Sequence, residues 1–290
     1  MIKHLSEKLQ LSERSIQNTI ELLDEGCTIP FIARYRKERT GSLDEVQIAA
    51  ISDLATKWRE MEKRKDTIRK TITEQGKMTP ELEKRIAECD NAETLEDIYL
   101  PFKPKRRTKA QVAREQGLEP LATLIMLGRE QRPEEAAKRF VKGEVKSAAD
   151  AIQGAQYIIA ETVSEDERSR HTVRRQFERD AIITSKVVKA KADTEEAAKY
   201  KDYFDWQEPL RRCPSHRMLA MRRGEAEGIL RVSISTDDEE CIERLKRNNV
   251  RCQGRCATLY REAVEDSYKR LLQPSIENEF ASNSKEKAEE

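Results

Sequence analysis

One stretch of this sequence constrains the fold more than any other. From Leu43 to Ile72, apolar residues recur at Leu43, Val46, Ala50, Leu54, Trp58, Met61, Ile68 and Ile72. The steps are three and four throughout, with Lys65 interrupting. That period belongs to an α-helix with one packed face, and the other positions are dense in Arg, Lys and Glu, as a solvated face requires. The spacing predicts a long helix reaching about Glu74. Ser42-Leu-Asp-Glu45 reads as the capping box that opens it, and Gly76 as its stop. Composition agrees with a helical protein. Ten Gly and nine Pro are few for 290 residues, and Glu, Lys, Arg, Leu and Ala are abundant. Charged residues make up 38%, against about 25% in an ordinary domain. The expected fold class is mainly α, multi-helical, with at most a minor β element.

Ahead of the long helix, a helix is expected over Lys3 to Leu9. Ser12 can cap a second one carrying Ile16, Ile20 and Leu23. Gly26 stops it, and Pro30 suits the first turn of a third, ending at Arg36. Short helices joined by tight turns outline a helix-turn-helix, and equally an ordinary helical hairpin. After the long helix, Thr79-Pro80 starts another, and Leu95, Ile98 and Tyr99 point inward from a further short one. Pro101 and Pro104 force an extended stretch. Further helices are expected at 110–116, through Leu121 to Leu127, and at 133–141, 148–163 and 168–182. Lys199 to Trp206 looks helical, Pro214 opens a helix to Gly224, and the last helix begins near Ala257. Pro274 breaks or kinks that one, and the tail reads as a polar helix. The only strand candidates are Ser185 to Lys191 and Ile229 to Ile234. The chain is organised as 1–75, 76–195, 196–274 and 275–290.

Function classes are narrowed by what is missing. There is no apolar run long enough for a membrane span and no secretory signal at the start, so a cytoplasmic chain with reduced thiols is expected. Six cysteines are scattered, and only Cys252 and Cys256 lie close together. Zinc would need two more ligands, the nearest by sequence being Cys241 and His216, and no second knuckle exists. No metal site and no cofactor are read here. No phosphate loop, dinucleotide fingerprint or HExxH is present. His4, His171 and His216 are the only histidines, and neither His171 nor His216 has a nearby nucleophile with an orienting carboxylate. No catalytic residue is assigned, and the chain is not expected to be an enzyme.

The basic residues are more telling. Fifty-five Lys and Arg stand against 54 Asp and Glu, a net charge of +1, which excludes a uniformly basic nucleic-acid binder. Yet Lys103, Lys105, Arg106, Arg107, Lys109 and Arg114 form a run with no acid. Arg34, Arg36, Lys37 and Arg39 form another, interleaved with Phe31 and Tyr35. A third holds Arg211, Arg212, Arg217, Arg222 and Arg223, and a fourth Arg244, Lys246, Arg247, Arg251 and Arg255. Such patches neutralise phosphates and release counterions, or simply form solvated faces. Neighbouring aromatics and the proline-stiffened loop favour the first two, since they add stacking to charge. The candidate nucleic-acid-binding residues are therefore Arg34, Arg36, Lys37, Arg39, Lys103, Lys105, Arg106, Arg107 and Lys109. None of them forms a base-reading signature.

Several of these residues sit in longer runs: TIPFIARYRKE at 28–38, LEDIYLPFKPKRRTKA at 95–110, PSHRMLA at 214–220 and YKRLLQPSIE at 268–277. In these runs the sequence resembles the N-terminal region of the Tex family of bacterial transcription accessory proteins. The match covers nearly the whole chain and is least clear over 141–195. The resemblance implies a helical region with a helix-turn-helix and a long central helix. It also implies a YqgF-like domain of RNase H-like fold, helix-hairpin-helix elements and a C-terminal OB-fold RNA-binding domain beyond Glu290, so a truncated chain is expected. It further implies a link to transcription and to nucleic acid, bound mainly through that last domain. The expected role is a non-catalytic module that binds RNA or DNA weakly. A protein scaffold docking on RNA polymerase or other transcription factors is the alternative.

Overall fold

The computed structural model describes residues 1–289. The chain divides into two compact units, Met1–Lys103 and Pro104–Glu290, so the division falls inside the proline-stiffened stretch. Both units are mainly helical, as expected.

The first unit contains α1 (Ile2–Leu9), α2 (Glu13–Asp24), α3 (Ile29–Tyr35), α4 (Lys37–Thr40), α5 (Glu45–Glu74), α6 (Pro80–Glu88) and α7 (Ala92–Tyr99). Ser12 caps α2 by accepting from the Ser15 amide at 3.1 Å, and Thr79 caps α6 in the same way. The long helix is present, but its start differs from the expected box. Gly41 and Ser42 both have positive φ, 75° and 63°, and this turn sets Ser42 outside the helix. Asp44 is the cap: it accepts from the Gln47 amide at 2.8 Å, while the Gln47 side chain accepts from the Asp44 amide at 3.0 Å.

The packed stripe of α5 agrees with the expected one at Ile68 and Ile72 but differs in its first half. Its buried residues are Ile48, Ile51, Ala55, Lys65, Ile68 and Ile72, whereas Val46 is 78% exposed. Lys65 belongs to the stripe instead of interrupting it. It is 1% exposed, donates to the Ala87 carbonyl at 3.0 Å and to Glu62 at 3.3 Å, and lies 6.0 Å from the Trp58 ring. Its stem fills the apolar face while its ammonium finds oxygen at the rim. Two separate cores flank the helix. Leu5, Ile16, Ile20 and Ile32 gather around Ile48 and Ile51, and Leu82, Ile86, Leu95 and Ile98 gather around Ile68 and Ile72.

The second unit contains α8 (Lys109–Glu115), α9 (Glu119–Leu127), α10 (Pro133–Ala137), α11 (Ala148–Glu165), α12 (Glu167–Asp180), β1 (Ile182–Val187), β2 (Asp205–Pro209), α13 (Ser215–Ala226), β3 (Leu230–Ser235), α14 (Asp238–Asn249), α15 (Arg255–Ser267) and α16 (Gln273–Glu289). The antiparallel sheet runs β2-β1-β3, with Ile183 opposite Glu208 on one side and Ile234 on the other. Both expected strands are present, with β1 starting three residues early. The residues expected to form a helix over Lys199 to Trp206 instead form a 3-10 segment, Glu196–Tyr203, and the start of β2. The edge position explains it: β2 is short and polar and ends at Pro209, which only an edge strand tolerates.

The core of this unit is organised around α11, where Ala151, Ala155, Ile158, Ile159 and Val163 are buried. A Cβ on Gly154 would lie 2.3 Å from Leu118 Cδ1, so glycine is what lets α11 approach the α8–α9 turn this closely. Pro274 is accommodated without a break. A π-helical turn, Tyr268–Leu272, precedes α16 and absorbs the missing backbone donor. The tail helix is anchored by buried Ile276, by Phe280 against Phe177 at 5.4 Å and by Arg174 on Glu279 at 2.6 Å.

Candidate nucleic-acid interface

In the first unit, α3 turns Ile32 and Ala33 into the core, which leaves its other face outward. Phe31 is 37% exposed and Tyr35 61%. Their rings lie 5.4 Å apart at 45°. The Arg36 guanidinium sits 5.0 Å over Phe31 and donates to the Tyr35 carbonyl at 2.9 Å, so it is stacked and held. Arg34 and Lys37 are exposed, and no other described residue partners their side chains. Arg39 is occupied differently. It pairs with Glu21 at 3.3 Å and Glu25 at 4.0 Å. The patch therefore joins two exposed aromatic rings to three cations, with the fourth turned to acids of α2 and its C-cap.

The second candidate run is spread over both units. Lys103, in the first, is exposed and without a side-chain partner among the described residues. In the second unit, acids of α11 and acids just beyond the run meet it. Lys105 pairs with Glu165, and with Glu161 at 3.5 Å. Arg114 reaches Glu161 at 2.7 Å and Glu119 at 2.9 Å, and Arg107 reaches Glu115 at 2.8 Å. Thr108 donates to Glu161 at 2.9 Å. Burial alone would raise the Glu161 carboxyl, but hydrogen bonds from Arg114 and Thr108 and the charge of Lys105 outweigh it and hold the group below the usual carboxylate range. Lys109 sits 5.0 Å over the Tyr157 ring, which Arg270 also contacts at 5.4 Å. Only Arg106 of this part is exposed and unpartnered among the described residues. Glu161, Glu165 and Tyr157 carried no signal in the sequence, because they lie on α11, far along the chain from the run they meet.

The third and fourth runs are paired in part. Arg217 holds Glu208 at 2.8 Å and lies 5.4 Å over Trp206. Arg222 holds Glu225 at 2.8 Å, Arg244 holds Glu240 at 2.5 Å and Arg255 pairs with Glu134. His216 is exposed at the start of α13, and His171 lines an open cleft. Among the described residues no group of three or more His, Cys, Asp and Glu is placed to hold a metal ion. The Cys256 thiol donates to the Glu130 carbonyl at 3.1 Å, and burial pushes its pKa up, which disfavours the thiolate a metal needs.

Residues 1–73 match the Tex-like protein N-terminal domain, and residues 128–290 match the Tex central region-like family. The chain belongs to the Tex family. It is 38% identical over 292 residues to the uncharacterized protein YdcI of Bacillus subtilis, covering 99% of this chain and 40% of that one. It is 43% identical over 236 residues to the transcriptional accessory protein Tex of Neisseria gonorrhoeae, covering 81% and 31%. A more distant human relative, S1 RNA-binding domain-containing protein 1, is 27% identical over 295 residues, covering 97% and 29%. The chain thus spans less than half the length of these curated relatives. The Phe31–Tyr35 patch falls inside the Tex N-terminal domain, while the Lys103–Lys109 segment lies between the two matched Tex regions.

Proposed function

We propose that this chain is a non-catalytic module of a Tex-type transcription accessory protein, working in the cytoplasm beside the transcription machinery, and that it contacts single-stranded nucleic acid through the α3 patch. The observation that carries this is the pairing of exposed Phe31 and Tyr35 with stacked Arg36 and unpartnered Arg34 and Lys37. Exposed rings give unstacked bases a surface, and the cations take the backbone. The RNA-binding name of the human relative favours RNA over DNA. Arg106 and Lys103 would add phosphate contacts, whereas Lys105 and Arg107 are already neutralised by acids.

The test is fluorescence anisotropy of a labelled single-stranded RNA with the full chain across a salt series. Wild type should bind with clear salt sensitivity. Phe31→Ala/Tyr35→Ala should weaken binding about tenfold or more, as the loss of one base stack, ~1–3 kcal/mol, implies. Absence of salt-sensitive binding at low salt, or an unchanged affinity in the double variant, overturns the reading. A partner recovered from lysate that survives nuclease treatment would then direct the patch to a protein.

A further inference from the structure

A cleft of about 830 Å³ opens between α12 and α14. Arg175 and Arg179 line it from α12, Arg244 and Arg247 from α14, with Glu178 as the acid among the lining residues. The four arginines are not equivalent. Arg179 and Arg244 share Glu240, at 3.3 Å and 2.5 Å, and Arg179 also holds Asp180 at 2.7 Å. These two are neutralised, and they tie one wall to the other. Asn248 on α14 adds a second tie, donating to Thr172 on α12 at 3.4 Å. Arg175 and Arg247, one on each wall, are exposed and have no side-chain partner among the described residues. The result is a braced groove presenting a free guanidinium from each side.

The chemistry of the lining selects the ligand. A guanidinium offers forked N–H donors that match phosphate oxygens and stay charged at any working pH. No Phe, Tyr or Trp is among the lining residues, and the one ring is the His171 imidazole, so the charge of the guanidinium groups outweighs stacking in the lining. We propose that this cleft takes the backbone phosphates of a nucleic-acid strand through Arg175 and Arg247, as a contact separate from the α3 patch. The ligand class rests on the nucleic-acid reading above, but the cleft does not depend on the patch.

Strand binding by the full chain, measured across salt, separates the two sites. Arg175→Gln/Arg247→Gln should reduce the salt slope by about 1.4, two phosphate contacts at ~0.7 each for a single strand, and weaken low-salt affinity several-fold. Phe31→Ala/Tyr35→Ala should weaken affinity while leaving the slope near wild type. Wild-type slope and affinity in the Gln variant overturn the cleft. Wild-type affinity in the aromatic variant overturns the patch and leaves the cleft standing. Because both arginines are exposed, the Gln variant should keep the wild-type unfolding transition, which is checked alongside. Inorganic tripolyphosphate should compete for the cleft and lose that competition in the Gln variant. Tripolyphosphate binding by a chain that binds no strand would overturn the strand as ligand.

Discussion

Glu161→Gln tests how the basic segment of the second unit is held. The carboxylate accepts from Arg114 and Thr108 and faces Lys105, and Glu161 is buried. Removing one partner of a buried ion pair typically costs ~3–5 kcal/mol. Three features reduce that figure here. The Arg114 and Lys105 side chains are 31% and 30% exposed, Arg114 keeps Glu119 and Lys105 keeps Glu165. The glutamine also retains an oxygen for Thr108. About 2 kcal/mol remains, or a fall in Tm of roughly 4–8 °C for a unit of this size. Scanning calorimetry of both chains near neutral pH measures it. The pH dependence gives a second handle. Glu161 stays ionised in the folded protein to lower pH than in the unfolded chain. Its contribution is therefore complete above the ordinary carboxyl value, about 4.3, and is lost as pH falls through the lower folded value. The gap between wild type and variant should be wide at neutral pH and close in acid. A variant as stable as wild type at neutral pH, or a gap that does not change with acidification, would refute the network as a source of stability.

Two further outcomes follow from buried polar groups. Lys65→Met should stay within about 1 kcal/mol of wild type in urea unfolding, because the stem packing survives and both Glu62 and Ala87 can turn to water, whereas Lys65→Ala should lose ~2–4 kcal/mol to the cavity; a Met variant as damaged as the Ala variant would show that the ammonium itself holds the site. Burial pushes the Cys213 thiol up to about 12 and the Cys241 thiol to about 11, so iodoacetamide should label both slowly at mildly alkaline pH in the folded chain and quickly in urea, as read by mass spectrometry. Rapid native labelling of the half-buried Cys213 would contradict its raised thiol pKa.

What the sequence revealed, and what it hid, follows from the range of each interaction. Helix starts at Ser12 and Thr79-Pro80 were legible because a cap acts on an amide three residues away. α14 lies outside the expected helices, although Asp237 and the acids after it open it and Lys246 and Arg247 close it, a charge order that matches the helix dipole. The β2 strand was missed because an edge strand with Trp206 as its one large apolar residue shows almost no alternation. The first half of the α5 stripe differs from the expected one because Leu43 is buried but lies outside the helix. At the site, the aromatic and basic residues of α3 were visible as neighbours in sequence. The neutralisation of Lys105 and Arg114 was not, since Glu161 lies about fifty positions from the segment it meets.

The long helix α5 serves as a phase reference between two hydrophobic assemblies. Ile48, Ile51 and Ala55 address one, and Lys65, Ile68 and Ile72 lie on the stretch that addresses the other. Each residue added to a helix turns everything beyond it by about 100°. The first core is built from residues up to Ala55 and the second from Met61 onward, so one residue inserted between them would turn the second core as a whole about the helix axis relative to the first, with no side chain of either core altered. Four inserted residues would turn it by only about 40°. The length of the middle of α5 therefore sets the angle between two cores without entering the packing of either, a property that substitution scanning alone would never reveal.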